Sequence, residues 1–153
     1  MLDISHTMTT CGHQAWISMK QIQLGCPKLR YLRAVNFCLV SDSCTHLPGF
    51  PVLEELFLSY SEDFFGNSPF NRASTNHDQI IISLTKNSSK LSVLDIENTI
   101  RVTPRCLLQI PSQSMRKLFL GNCTNLEDDS LALVIDKVCI LNCILAVFPI
   151  VFQ

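Results

Sequence analysis

The residues of this chain best suited to nucleophilic or metal chemistry are its eight cysteines and four histidines. A thiolate beside an imidazole attacks carbonyl carbon, and thiolates with neutral imidazoles hold zinc. Two pairs stand close in sequence, Cys11 with His13 and Cys44 with His46. Neither has the C-x-x-C or H-x-x-x-H spacing that brings two ligands round one ion, so no metal is expected. His6, His13, His46 and His77 fall in turns and one long loop, and nothing selects any Cys–His pair to converge. The signatures G-x-G-x-x-G, G-x-x-x-x-G-K-[ST], G-x-S-x-G and H-E-x-x-H do not occur. The expectation is a chain that is not an enzyme and needs no cofactor.

Composition narrows what such a chain binds. The formal net charge is −1 and the longest basic run is Arg116-Lys117. Phosphate backbones call for clustered Lys and Arg, so no nucleic-acid partner is expected. Charged residues make up 16%, below the usual ~25%, while 47% are apolar; at 153 residues this is one domain's worth of chain. The start, Met-Leu-Asp-Ile-Ser-His, turns polar within three residues and has no apolar signal region. The sequons at Asn87 and Asn122 are therefore expected to stay bare, and the cysteines to stay reduced and buried as small hydrophobes. The expected compartment is the cytoplasm, with the nucleus also consistent.

The elements that position these residues repeat. Residues 115–123 read Met-Arg-Lys-Leu-Phe-Leu-Gly-Asn-Cys, with apolar residues in the first, fourth and sixth places and Cys in the ninth. Residues 91–99 place Leu91, Leu94, Ile96 and Thr99 in the same positions, and residues 53–61 place Leu53, Leu56, Leu58 and Ser61 there. Residues 29–37 give Leu29, Leu32, Ala34 and Phe37, with Cys38 one place late. The chain opens inside another copy, with Leu2, Ile4 and Thr7 in the fourth, sixth and ninth places. The fourth-to-sixth alternation requires a short strand. The starts at 29, 53, 91 and 115 lie 24, 38 and 24 residues apart. The longer interval carries an insertion at 61–77.

Taken with the polar and apolar residues that follow the ninth places Thr99 and Cys123, and with the Cys26-Pro27-Lys28-Leu29 exit, the pattern resembles the cysteine-containing leucine-rich repeat. That subtype is typical of F-box/leucine-rich-repeat proteins, substrate receptors of cullin–RING (SCF-type) ubiquitin ligases. The resemblance covers residues 1–135. It implies an α/β leucine-rich-repeat solenoid of about five repeats, with short parallel strands on the concave face and helices or turns on the convex face. It also implies a protein-interaction module whose link to SCF ligase components runs only through a parent chain with an F-box, since nothing in residues 1–28 looks like one. A cytosolic repeat scaffold with no ligase link and a membrane-tethered repeat protein are the alternatives. The opening Met then belongs inside a longer parent or begins a truncated product.

Between strands, helical spacing predicts helices over 14–24, 78–85 and 105–110, with Asn76 or Asp78 and then Thr103-Pro104 as starts, and a last helix from 130. Residues 41–46 are expected to turn. The insertion has neither period, and its Phe64, Phe65 and Phe70 are expected either against the edge of the repeats or on a partner. The repeat region is taken as 1–137, and 138–153 as an apolar tail outside it. Residues 138–152 are almost unbroken in apolar character but interrupted by Pro149, and fall short of the ~20 residues that span a bilayer. A non-native tail that replaced further repeats is the favoured reading; an end cap and a membrane anchor are the others.

The third, fifth and seventh residues of each strand point away from the core. In leucine-rich repeats that face is the concave, partner-gripping one. The expected protein-binding residues are Tyr31 and Arg33, Glu55 and Phe57, Asp95 and Glu97, and Lys117 and Phe119. One row across the strands would read Asp3, Arg33, Phe57, Asp95, Phe119.

Overall fold

Leu32, Leu56, Leu94 and Leu118 occupy the same place in successive copies of the pattern, and they lie side by side across one sheet. The computed structural model describes residues 1–5, 16–35, 38–40, 47–59, 77–99, 101–126, 132 and 144–146. Six strands form an all-parallel sheet: β1 (Leu2–Asp3), β3 (Tyr31–Arg33), β5 (Glu55–Phe57), β6 (Val93–Asp95), β7 (Lys117–Phe119) and β8 (Ile144–Ala146), in that spatial order. Pairing Leu2 with Leu32, Leu32 with Leu56, Leu56 with Leu94 and Leu94 with Leu118 holds one register throughout. With the helices α1 (Met19–Gly25), α2 (His77–Thr85) and α3 (Pro104–Gln109) among the described residues, the fold is α/β in character.

The backbone repeats as the sequence does. The sixth-place N–H groups of Ile4, Ala34, Leu58 and Ile96 donate to the carbonyls of Arg33, Phe57, Asp95 and Phe119 on the next strand, at 2.8–3.1 Å. At the strand starts Glu54, Ser92 and Arg116 donate to Arg30, Glu54 and Ser92, each at 2.8 Å. After the strands the ninth-place N–H of Thr99 and Cys123 closes a turn on Ile96 and Leu120. Asn98 and Asn122, one place earlier, take φ of 59° and 57°, a left-handed conformation that asparagine tolerates better than most residues.

The core is the inward set of these strands joined to the helices. Leu32, Leu56, Leu94 and Ile96 are fully buried, in one cluster with Met19 of α1, Ile81 and Leu84 of α2 and Cys106 of α3. Each buried leucine contributes ~1.5–3 kcal/mol through removal from water. The turn before β5 is fixed to α2: Phe50, fully buried, donates its N–H to the Leu84 carbonyl, and its own carbonyl accepts from the Ser88 hydroxyl at 2.8 Å. Gly49 takes φ +73°, with the Ser83 carbonyl 3.0 Å from where a Cβ would stand, so glycine is required there. The buried Gln23 of α1 spans the gap, accepting from Gly49 N–H at 2.9 Å and donating to Ser83 Oγ at 3.2 Å.

Several expectations need correction. The helix expected over 14–24 begins only at Met19; Trp16–Ser18 is instead a strand, β2, paired in parallel with β4 (Cys38–Val40) in a separate two-stranded sheet. Trp and Ile favour extended backbone, and a partner strand supplies the hydrogen bonds that helix would have supplied. His77 is not in the loop but opens α2, where it is 6% exposed. Asp78 does not stand before the helix. It lies in the first turn, and its carboxylate accepts from the N–H and hydroxyl of Thr103, the residue that precedes α3. The tail at 138–153 is not wholly outside the sheet, because β8 pairs along β7 with Leu118 opposite Leu145. Residues 41–46, Phe64, Phe65, Phe70 and most of the helix expected from 130 lie outside the described residues.

Candidate functional site

On the outward face the register decides which side chains meet. Arg33 stands opposite Asp3 and Phe57, Phe57 opposite Asp95, and Asp95 opposite Phe119. The expected row is therefore formed. A second row runs Tyr31, Glu55, Val93, Lys117. Arg33 and Lys117 are exposed, while Tyr31, Glu55, Phe57, Asp95, Glu97 and Phe119 are half-buried. Tyr31, Arg33, Phe57 and Phe119 are of the types enriched in interface cores, whereas Glu55, Asp95, Glu97 and Lys117 are of types depleted there and common at interface rims.

Local bonds orient these groups. The Arg33 guanidinium lies 5.8 Å from the centroid of the Phe57 ring, within cation–π range. Asp95 accepts from the N–H of Glu97 at 3.1 Å and from the Ser59 hydroxyl at 3.2 Å. Asp3 accepts from Ser5 N–H at 3.0 Å in the same way, so both fifth-place aspartates close the turn two residues on. Burial pushes the Asp95 carboxyl above the ordinary carboxylate range, against the pull of those bonds and of Arg33. Burial, and then the charge of Asp95, does the same to Glu97.

A polar cluster that the alternation argument missed sits at the N-terminal rim. Arg30 and Glu54 form a two-pronged ion pair, Nε to Oε1 at 2.9 Å and Nη2 to Oε2 at 2.8 Å, and Tyr31 donates its hydroxyl to Glu54 at 3.0 Å. The Arg30 bond and charge hold the Glu54 carboxyl below its ordinary range, and the bond to Glu54 raises the Tyr31 phenol. The signal was present as opposite charges in the second place of successive copies, 24 residues apart.

No protein-family model, curated protein or solved structure matches the chain. The site is thus read from its own chemistry.

Two described cysteines are buried as thiols. Cys123 donates S–H to the Ile96 carbonyl at 3.2 Å, and burial lifts its pKa to about 12. Burial also raises Cys106, whose thiol lies 3.9 Å from the Asp78 carbonyl oxygen. A thiol held protonated is neither a nucleophile nor a metal ligand at neutral pH. Cys11, His13, Cys44 and His46 lie outside the described residues; among those described, no group of three His, Cys, Asp or Glu side chains is placed to hold a metal. Among the same residues no helix is long and apolar enough to cross a membrane.

Proposed function

We propose that this chain is a protein-interaction module built of leucine-rich repeats, which grips a protein partner on the outward, concave face of its parallel sheet. The observation that carries the reading is the register that sets Arg33, Phe57, Asp95 and Phe119 in one row, each exposed or half-buried, opposite in direction to the buried leucines. The repeated turns after Ile96 and Leu120 support the repeat class. By its cysteine-containing pattern the module is similar to the substrate-recognition repeats of an F-box subunit of an SCF-type ubiquitin ligase. Ligase recruitment would belong to a chain that also carries an F-box. A reducing cytoplasmic or nuclear compartment suits the free buried thiols of Cys106 and Cys123.

The test is the triple variant Arg33→Ala, Phe57→Ala, Phe119→Ala. Each single change is expected to weaken a partner's binding by ~1 kcal/mol or more, with little change in melting temperature. Wild type and variant are compared in pull-downs with the captured proteins identified by mass spectrometry, and circular dichroism confirms folding. A folded triple variant that keeps every partner removes this face as the site.

A further inference from the structure

On β6 and β7 the charge of the outward face is sorted along the strand direction, in the opposite sense to β3 and β5, where Glu55 stands in the row of Lys117 and Arg33 in the row of Asp95. At the N-terminal rim Lys90, Arg116 and Lys117 are exposed. Lys90 and Arg116 line an open groove of ≈ 520 Å³ together with Glu54, Ser92 and Gln113. Among the described residues Arg116 and Lys117 have no ion-pair partner, in contrast to Arg30, which Glu54 neutralises. Toward the C-terminal rim of the same strands stand Asp95 and Glu97, two residues apart on one face. Phe57 and Phe119 stand in the same row as Asp95, one on either side of it.

Among the described residues neither Asp95 nor Glu97 forms an ion pair, although the charge of Arg33 reaches Asp95. Glu97 Oε1 is buried with no hydrogen-bond donor among the described residues. Asp95 takes a backbone N–H and a hydroxyl, both neutral donors. Burial disfavours the charge of both carboxylates, so an incoming cation relieves that cost and supplies the missing donor. The flanking rings suit a cation too, since Phe57 already carries the guanidinium of Arg33.

We propose that this face takes an extended polypeptide segment of sorted charge. A lysine or arginine seats over Asp95 and Glu97 between the Phe57 and Phe119 rings, and an aspartate or glutamate lies over Arg116 and Lys117. The third place, held by Lys117, and the seventh, held by Glu97 in the turn after β6, are four residues apart, at most roughly 13 Å at ~3.3 Å per residue. The partner's two charges are accordingly about four residues apart. The inference rests on the protein-binding reading of the sheet given above, and adds the chemistry of the partner.

The probe is a phage-displayed random dodecapeptide library, selected on the full chain in reducing buffer, with enriched peptides resynthesised for fluorescence polarisation. Enriched peptides are expected to carry Lys or Arg three to five residues from Asp or Glu. The double variant Asp95→Asn, Glu97→Gln is expected to weaken them about tenfold or more, as is Arg116→Glu, Lys117→Glu, whose side chains are exposed and not part of the core. Thermal melting confirms that both variants fold. Peptides lost in the Arg33, Phe57, Phe119 triple variant but indifferent to both charge variants would overturn the charge inference and leave the protein-binding reading standing. Enrichment of purely acidic or purely basic peptides would overturn it as well. A library that yields no peptide dependent on Arg33, Phe57 and Phe119 would overturn both.

Discussion

Leu94→Ala is expected to remove about 2–5 kcal/mol of stability, a large share of the ~5–15 kcal/mol that holds a domain of this size. Leu94 is fully buried in one of the two central strands of the sheet, paired with Leu56 on one side and Leu118 on the other. Truncation deletes its branched methyls from a packed core and leaves a cavity that the paired strands restrict from collapsing. The neighbouring change Asp95→Asn faces outward, keeps an acceptor for the Glu97 N–H, and is expected to cost under ~1 kcal/mol. Urea unfolding followed by circular dichroism measures both. Equal losses at the two positions would contradict the alternation on which the inward and outward faces are assigned.

The second large effect is on acid stability and comes from His77. Burial, followed by the charge of Arg101, lowers its pKa from 6.5 to about 4, with Asp78 opposing. A histidine whose folded pKa is depressed binds its proton more readily in the unfolded chain. Its contribution to stability is therefore complete above the unfolded value and is lost as pH falls through 6.5 toward 4. The linkage amounts to about 2 kcal/mol at pH 5 and about 3 kcal/mol at pH 4. Asp95 and Glu97 act with the opposite sign: their raised carboxyls cost stability when ionised, and protonation relieves that cost. The comparison of wild type with His77→Leu cancels them. The fall in unfolding free energy between pH 7.5 and pH 5 is expected to be steeper in wild type by about 2 kcal/mol. Parallel pH profiles for the two proteins would show that His77 is not held neutral by the fold.

The sheet was legible in the sequence because two periods coincide there. Alternation over residues such as Lys117, Leu118 and Phe119 gives the strand, and recurrence of the same places fixes which leucine meets which. The row Arg33, Phe57, Asp95, Phe119 follows from those two facts alone. Features made by contacts distant in sequence were not legible. Gln23 reaches Gly49 and Ser83 across 26 and 60 residues, and no local signal marks a glutamine as buried. The β2–β4 pair was hidden because Trp16 and Ile17 stand beside Met19 and Ile22, which have helical spacing. Strand β8 was hidden because Asn142 occupies the first place, where Leu29, Leu53, Leu91 and Met115 stand in other copies, although Leu145 and Val147 fill the fourth and sixth. His77 looked like loop because the residues before it have neither period, whereas its burial is set by the packing of α2.

The proposed binding face is tested by photocrosslinking. p-Benzoylphenylalanine is placed singly at Glu55 or Val93 on the outward face, and at Leu24 or Leu108, exposed residues of the helices on the other side of the core. On irradiation in cell extract, with crosslinked proteins identified by mass spectrometry, positions 55 and 93 are expected to capture one shared set of partners and positions 24 and 108 none of it. Capture of the same partners from 24 and 108, with none from 55 and 93, would contradict the sheet face as the site of binding.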